Sequence, residues 1–421
     1  MLLSMIQNFA LSESVPGFGK AVLNALQFSD RNLFGSQSLK TDDWAKLLAF
    51  CDAAQLTFNF FNLYQSEIPD WVAVRVARNR RDAAIRQSHL DAALTEIVRR
   101  FKAAEIDFAL LKGHAHSQEF GPDMLLRATS DVDLWCKPEE VGRARNELLK
   151  LGYRSMGNDH GRHLAPMIRE KDWRWSGDFY APDLPLPIEL HHRLWDEEME
   201  SIQGPPEDAF WGRRSYLNFE GETISILALP DALAFSALHL LMHILHGDLR
   251  PQRAWEIGQF LQRRSRDDCF WHEWANLHPP ELRKLESLIF VLIDKWFGCT
   301  LPQIVQREAE TLAPDVKTWI ERYGFSPVEA LFASNKTELW LNLCLISSLR
   351  GKIQLFVRRM LPIHGSKTVS FGEGGAPRSI LLRATHHVRT FGPTLAEGLE
   401  WWRIRHARNK SHGRQPASQH V

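Results

Sequence analysis

Two aspartates one residue apart, Asp131 and Asp133 in "LLRATSDVDLW" (125–135), are the residues whose spacing speaks first of chemistry. In a β-strand the side chains at i and i+2 share a face, so both carboxylates would project together while Val132 and Leu134 pack behind them. Paired carboxylates at a strand end make a hard oxygen site suited to Mg²⁺. The plain alternative is a solvated acid pair at a strand start. Upstream, "LLKGHAHSQEF" ends a strand-like run in Lys112-Gly113 and begins a helix, an arrangement that offers backbone N–H groups and a cation to phosphates. Downstream, "PIELHHRLW" puts Glu189 and His191 on one face and Ile188 and Leu190 on the other. A third carboxylate beside the first two is what two-metal phosphoryl transfer requires: one ion holds a triphosphate and the other lowers the pKa of the attacking hydroxyl.

The elements that must position these residues follow from periodicity. Residues 40–104 alternate apolar clusters with charges at helical spacing, and Leu90, Leu94, Ile97, Val98 and Phe101 fall on one face of a helix expected from about Asp82 to Ala104. The period then shortens. "IDFALLKG", "SDVDLWC" and "LPIELHHRLW" are strand-compatible runs, with an amphipathic helix from Pro138 to Leu151, capped by Gly152, between the second and third. The polar and aromatic stretch 155–183 suits a hairpin and a substrate-facing loop. From Pro230 to about Arg264, and on to about Arg359, the pattern is helical again, and the Gly/Ser/Thr-rich segment after Pro362 is a loop or linker.

Composition sets limits. Hydrophobic content of 44% and charged content of 24% are ordinary for a globular chain. Five scattered cysteines without CxxC spacing suggest neither a disulfide framework nor a zinc ribbon, and fit a reducing cytoplasm. The N-terminus lacks a basic signal-peptide region, and the most apolar stretch, 232–247, is too short to span a membrane and carries three histidines. Formal net charge is zero, yet Arg350 to Val421 holds 13 Lys/Arg against 3 Asp/Glu, a balance of +10 that suits an anionic partner: nucleic acid, a membrane surface or an acidic protein. Within it "LEWWRIRHARNK" (399–410) has the pattern of an amphipathic basic helix; "DWRWSGDFY" (172–180) is a second aromatic-basic segment, whose Trp173 and Trp175 are expected to cover the sheet or line its cleft.

The ordered set "IDFALLKG", "RATSDVDLWC" and "IELHHRLW" is preceded by "DDWAKLLAFCDAAQL" and followed by "HLLMHILHGDLRPQRAWEIGQFL". Together, over roughly residues 40–360, it resembles the uncharacterised bacterial nucleotidyltransferase family of the DNA polymerase beta-like superfamily. That resemblance implies an α+β fold, a nucleotidyltransferase-type mixed β-sheet with flanking helices, extended by helical regions at both ends. The expected division is an N-terminal helical region (1–104), a catalytic core (105–228), a C-terminal helical region (229–360) and a basic, loop-rich tail (361–421). Asp131 and Asp133 match the family's metal-binding aspartates and Glu189 its third acid, so these three are the expected catalytic and metal-binding residues. Lys112, Gly113, Arg127, Ser130 and His191 are the expected nucleotide-binding set. Two positions depart from the family's pattern: Glu189 replaces the commoner Asp, and Glu256 stands where Asp is more frequent. Lys112-Gly113 matches the family's Lys-Gly turn, which stands where better-known superfamily members carry Gly-Ser and so lacks that serine hydroxyl.

The expectation is therefore a cytoplasmic nucleotidyltransferase that uses Mg²⁺, as two ions, to move a nucleoside monophosphate from an NTP to a hydroxyl-bearing acceptor. One rival is a binding or regulatory module on the same fold that holds nucleotide or a partner without turnover. Another is a metal hydrolase built on His239, His243 and His246, which fall at i, i+4 and i+7 on one helical face. Buried, hydrogen-bonded histidines are the plain reading of that face.

Overall fold

The computed structural model describes residues 15–29, 40–64, 68–121, 131–159, 161–169, 173, 175–333, 335–360 and 398–404. Arg127, Ser130, the expected linker after Pro362 and most of the basic tail lie outside them; residues 398–404 are helical.

Seven strands form one mixed sheet: β1 (Phe108–Leu110), β2 (Val132–Cys136), β3 (Arg154–Ser155), β4 (Met167–Ile168), β5 (Ile188–His191), β6 (Ser215–Phe219) and β7 (Glu222–Ile226), in the order β3-β4-β5-β2-β1-β7-β6. At its centre β2 runs antiparallel to β1 and parallel to β5. Helices cover both faces, so the architecture is the α+β mixed sheet expected. The hairpin expected in 155–183 is present as the short β3/β4 pair. The β6/β7 hairpin was not anticipated. Its turn residues Glu220 and Gly221 have φ of 49° and 77°, the left-handed pair that a two-residue type I′ turn needs.

Alternation along the strands divides the core. Val132, Leu134, Ile188, Leu190, Ile224 and Ile226 pack on one face against Leu90, Leu94, Ile97 and Phe101 and against Ala144 and Leu148 of the Val141–Lys150 helix. Ala109, Leu111 and Trp135 belong to a larger cluster that unites the N-terminal helices with those of residues 229–360. Trp255 Nε1 donating to the Leu26 carbonyl at 3.1 Å ties the two sets of helices together.

The long helix begins at Asp70, twelve residues before the expected start, and ends at Ala103. Its first half carries only Val72 and Val76 as buried apolar residues. Ion pairs hold the rest: Arg75 to Asp52, and Arg78 to Asp178 at 3.0 Å. An apolar stripe that thins in this way is invisible to a periodicity argument, because the anchoring acids are remote in sequence.

Candidate active site

The site forms where β1 ends and the neighbouring β2 and β5 begin. Parallel pairing sets Asp133 opposite Glu189 and Trp135 opposite His191, so one pleat carries Asp133, Glu189 and His191 on the face away from Val132 and Leu134. The spacing put Glu189 with His191 on one face, and paired Asp133 with Asp131. Ligand atoms of Asp133, Glu189 and His191 lie within 4.8 Å of one another, the only such His/Cys/Asp/Glu group among the described residues. Asp131, half-buried just before β2, is outside that group.

Lys112 closes the cluster from the end of β1. The next residue, Gly113, has φ of 68° and starts a 3-10 turn, Gly113–His116, which is the tight turn expected there. Lys112 Nζ donates to Asp133 Oδ1 at 3.1 Å and to His239 Nε2 at 3.2 Å, and sits 5.8 Å from the centroid of the Phe235 ring. His191 Nε2 donates to the same Asp133 oxygen at 2.9 Å and faces Glu189 Oε2 at 3.6 Å. Burial by itself would push the Asp133 carboxyl up, but the Lys112 ammonium and the His191 hydrogen bond hold it well below the usual carboxylate range. Glu189 is also held below its ordinary value: burial raises it, and the hydrogen bond and charge of His191, together with His163, more than offset that. Both acids are anionic at neutral pH.

Two residues that the sequence did not single out join them. The segment 162–164 lies against the end of β5, with a bridge between His163 and His191 and with His192 N donating to the Arg162 carbonyl at 3.0 Å. Burial lowers the Arg162 guanidinium, against the pull of Glu189 and Asp133, which places a second cation in the field of the acids. His163 Nδ1 donates to the Leu164 carbonyl at 2.8 Å, and burial pushes its imidazole down to about 4, so at neutral pH it keeps a lone pair on Nε2. "HGRH" carries no signal of this, since no strand pattern runs through it.

The three histidines of the Leu229–Leu245 helix and its cap go to three different partners. His239 accepts from Lys112, His243 Nδ1 lies 3.4 Å from Asp248 Oδ2, and His246 Nε2 lies 3.0 Å from Glu200 Oε1. They form no ligand set among the described residues. Burial, then Lys112, keep His239 well below its ordinary value, so it is a neutral acceptor for the lysine. Trp173 and Trp175 pack on each other at 6.2 Å, and Trp175 on Phe179 at 4.9 Å. Glu256, buried in the Pro251–Arg264 helix, pairs with Arg253 at 3.2 Å.

A divalent cation fits the cluster chemically. Asp133 Oδ2 is buried and has no hydrogen-bond partner among the described residues. An oxygen in that condition is costly unless something binds it. The two carboxylates suit Mg²⁺ or Mn²⁺, with the His191 imidazole, which donates through Nε2, holding Asp133 in place behind them.

Among curated proteins none matches the chain. A solved structure to which it is similar is an antigenic nucleotidyltransferase-like protein from Paracoccidioides brasiliensis, at 15% identity over 51% of this chain and 94% of that one, with a TM-score of 0.28. At that score the likeness carries no argument. No described helix is long and apolar enough to cross a membrane. The family model described as an uncharacterised nucleotidyltransferase matches residues 40–298, more than half of the chain. By that match, which spans β1, β2, β5 and the site they frame, the chain belongs to the uncharacterised nucleotidyltransferase family.

Proposed function

We propose that the protein transfers a nucleoside monophosphate from an NTP to a hydroxyl-bearing acceptor with Mg²⁺. The observation that carries this reading is the convergence of Asp133, Glu189 and His191 on one pleat, with Asp133 Oδ2 buried and unpartnered among the described residues. Asp133 and Glu189 would hold the cation, with Asp131 beside them at the mouth of β2. When bound, two Mg²⁺ ions would neutralise the triphosphate and favour ionisation of the attacking hydroxyl.

The chain's own residues do the remainder. Lys112 balances the charge of Asp133 in the resting site, is steadied by its hydrogen bond to His239, and would offer the same ammonium to a triphosphate docked at the Gly113 turn. Arg162 adds a planar donor fork suited to phosphate oxygens. His191 orients Asp133 through Nε2. Arg127 and Ser130, outside the described residues, complete the nucleotide-binding set on the strength of the family pattern. Catalysis of this kind rests on positioning and charge neutralisation rather than on covalent chemistry by the protein.

Titration of the protein with Mn²⁺ alone, followed by electron paramagnetic resonance, tests the site without needing the acceptor. The wild type should bind the ion saturably, and Asp133→Asn and Glu189→Gln should each weaken binding at least about tenfold, the scale on which disturbed ligand shells act. Equal binding by all three proteins removes the cation from this site.

A further inference from the structure

The Leu349–Met360 helix presents an apolar stripe to solvent. Leu349 is 74% exposed, Ile353 56%, Phe356 46% and Val357 42%. Offsets of 0, 4, 7 and 8 residues place all four within one sector of about 100° on a helix of 3.6 residues per turn. The opposite side seats the helix: Gly351 and Leu355 are buried, a Cβ at Gly351 would come within 2.9 Å of Ile346 and Ser201, and Arg358 donates to the Met199 carbonyl. The stripe therefore faces outward because the helix is held by its other side. Arg350 and Lys352 fall on its two flanks, and the helix contains no acid.

We propose that this face docks on an anionic lipid surface. Apolar side chains flanked by cations are what a helix lying in the headgroup region needs. A second copy of the chain is a poor occupant on two counts. It would bring basic flanks against basic flanks. The four side chains, even if fully covered, offer on the order of 400 Å², about half of the ~800 Å² per partner found in stable protein interfaces. The chain's own residues 361–421 are excluded by the same charge argument, since they hold 9 Lys/Arg against 3 Asp/Glu. Those residues instead add to the attraction for the same surface. Nothing in this requires a spanning helix, and no described helix could span.

The test is cosedimentation of the full chain with phosphatidylcholine vesicles, with and without phosphatidylserine, at low and high salt. The wild type should pellet with the phosphatidylserine vesicles, lose that binding as salt screens the charge, and stay in solution with phosphatidylcholine alone. Ile353→Ser/Phe356→Ser leaves every charge in place, and its bound fraction should fall at least about fivefold, as expected when half-buried apolar area is withdrawn from the lipid. Both positions are half exposed, so the unfolding midpoint should match wild type; Leu349→Ser, at the most exposed position of the stripe, supplies an independent check. A double variant that binds as well as wild type overturns the proposal, because the basic tail alone would then be holding the chain. Equal binding to both vesicle types, or to neither, overturns it as well. Capture by polyglutamate without vesicle binding would also overturn it, in favour of an acidic protein partner.

Discussion

Replacing His278 tests how the helical lobe is fixed against the sheet. His278 is buried between two acids, with Nδ1 2.9 Å from Glu286 Oε2 and Nε2 3.1 Å from Asp231 Oδ1. Trp274 Nε1 donates to the other Glu286 oxygen at 2.8 Å, and Arg213 grips Asp231 through Nε and Nη2, each at 2.7 Å. Asp231 stands in the first turn of the helix that carries His239 about 12 Å further along, so the network sets the helix that reaches Lys112. Burial by itself would push the His278 imidazole down, but Glu286 and Asp231 bring it up to about 9. A group whose folded pKa lies above its unfolded value stabilises the fold at pH below the unfolded pKa, and that contribution is lost as pH rises through the folded one. From about 6.5 unfolded to about 9 folded, the contribution is about 3 kcal/mol, fully present at pH 6 and gone above about pH 9. Urea unfolding of wild type and His278→Gln, followed by tryptophan fluorescence at several pH values, measures it. The gap between the two proteins should be largest at pH 6 and shrink by about 3 kcal/mol by pH 9.5. A gap that does not change with pH would mean that His278 is uncharged in the fold, and would refute the network as an ionic clamp.

Two further outcomes are expected. Lys112→Met removes the charge that holds Asp133 low, so the Asp133 carboxyl should rise and Mn²⁺ binding, followed against pH, should fail at higher pH than in wild type. The same variant leaves Asp133 without its ammonium partner in the core and should lose about 3 kcal/mol or more of stability in urea. Leu134→Ala, at a fully buried position on the β2 face away from the site, should cost about 2–5 kcal/mol in the same assay while leaving Mn²⁺ affinity within about twofold of wild type.

The central strands were legible because β2 and β5 are short apolar runs in which each acid, Asp133 and Glu189, sits between two apolar neighbours. Sequence spacing alone therefore put Glu189 and His191 on one face of their strand, and it paired Asp133 with Asp131, which the ligand group leaves out. The pairing of β2 with β5 across more than fifty residues, which brings Asp133 opposite Glu189, has no local signal; the family motifs implied only that Glu189 is the third acid. Arg162 and His163 were not legible, since a single bridge to His191 places them and no local pattern encodes it. The link from His239 to Lys112 joins residues 127 apart and depends on how the helical lobe seats. The β6/β7 hairpin had a usable signal that went unread: Glu220-Gly221 between alternating runs. The histidine face of residues 239–246 resolves into groups that each have their own partner, as the plain reading held, although only His239 and His243 are partly buried and His246 is exposed; the spacing that suggested zinc was a by-product of helical geometry.

Pyrophosphate release is the most direct measure of the central claim. Purified protein would be incubated with Mg²⁺, each of the four NTPs in turn, and a boiled, filtered cell extract as the source of hydroxyl acceptors, beside Asp133→Asn under the same conditions. The account predicts release by the wild type with at least one NTP and a loss of at least about a hundredfold in the variant, the scale of removing one key electrostatic group from a transition state. Saturable NTP binding by the wild type without pyrophosphate, or release undiminished in Asp133→Asn, would contradict it.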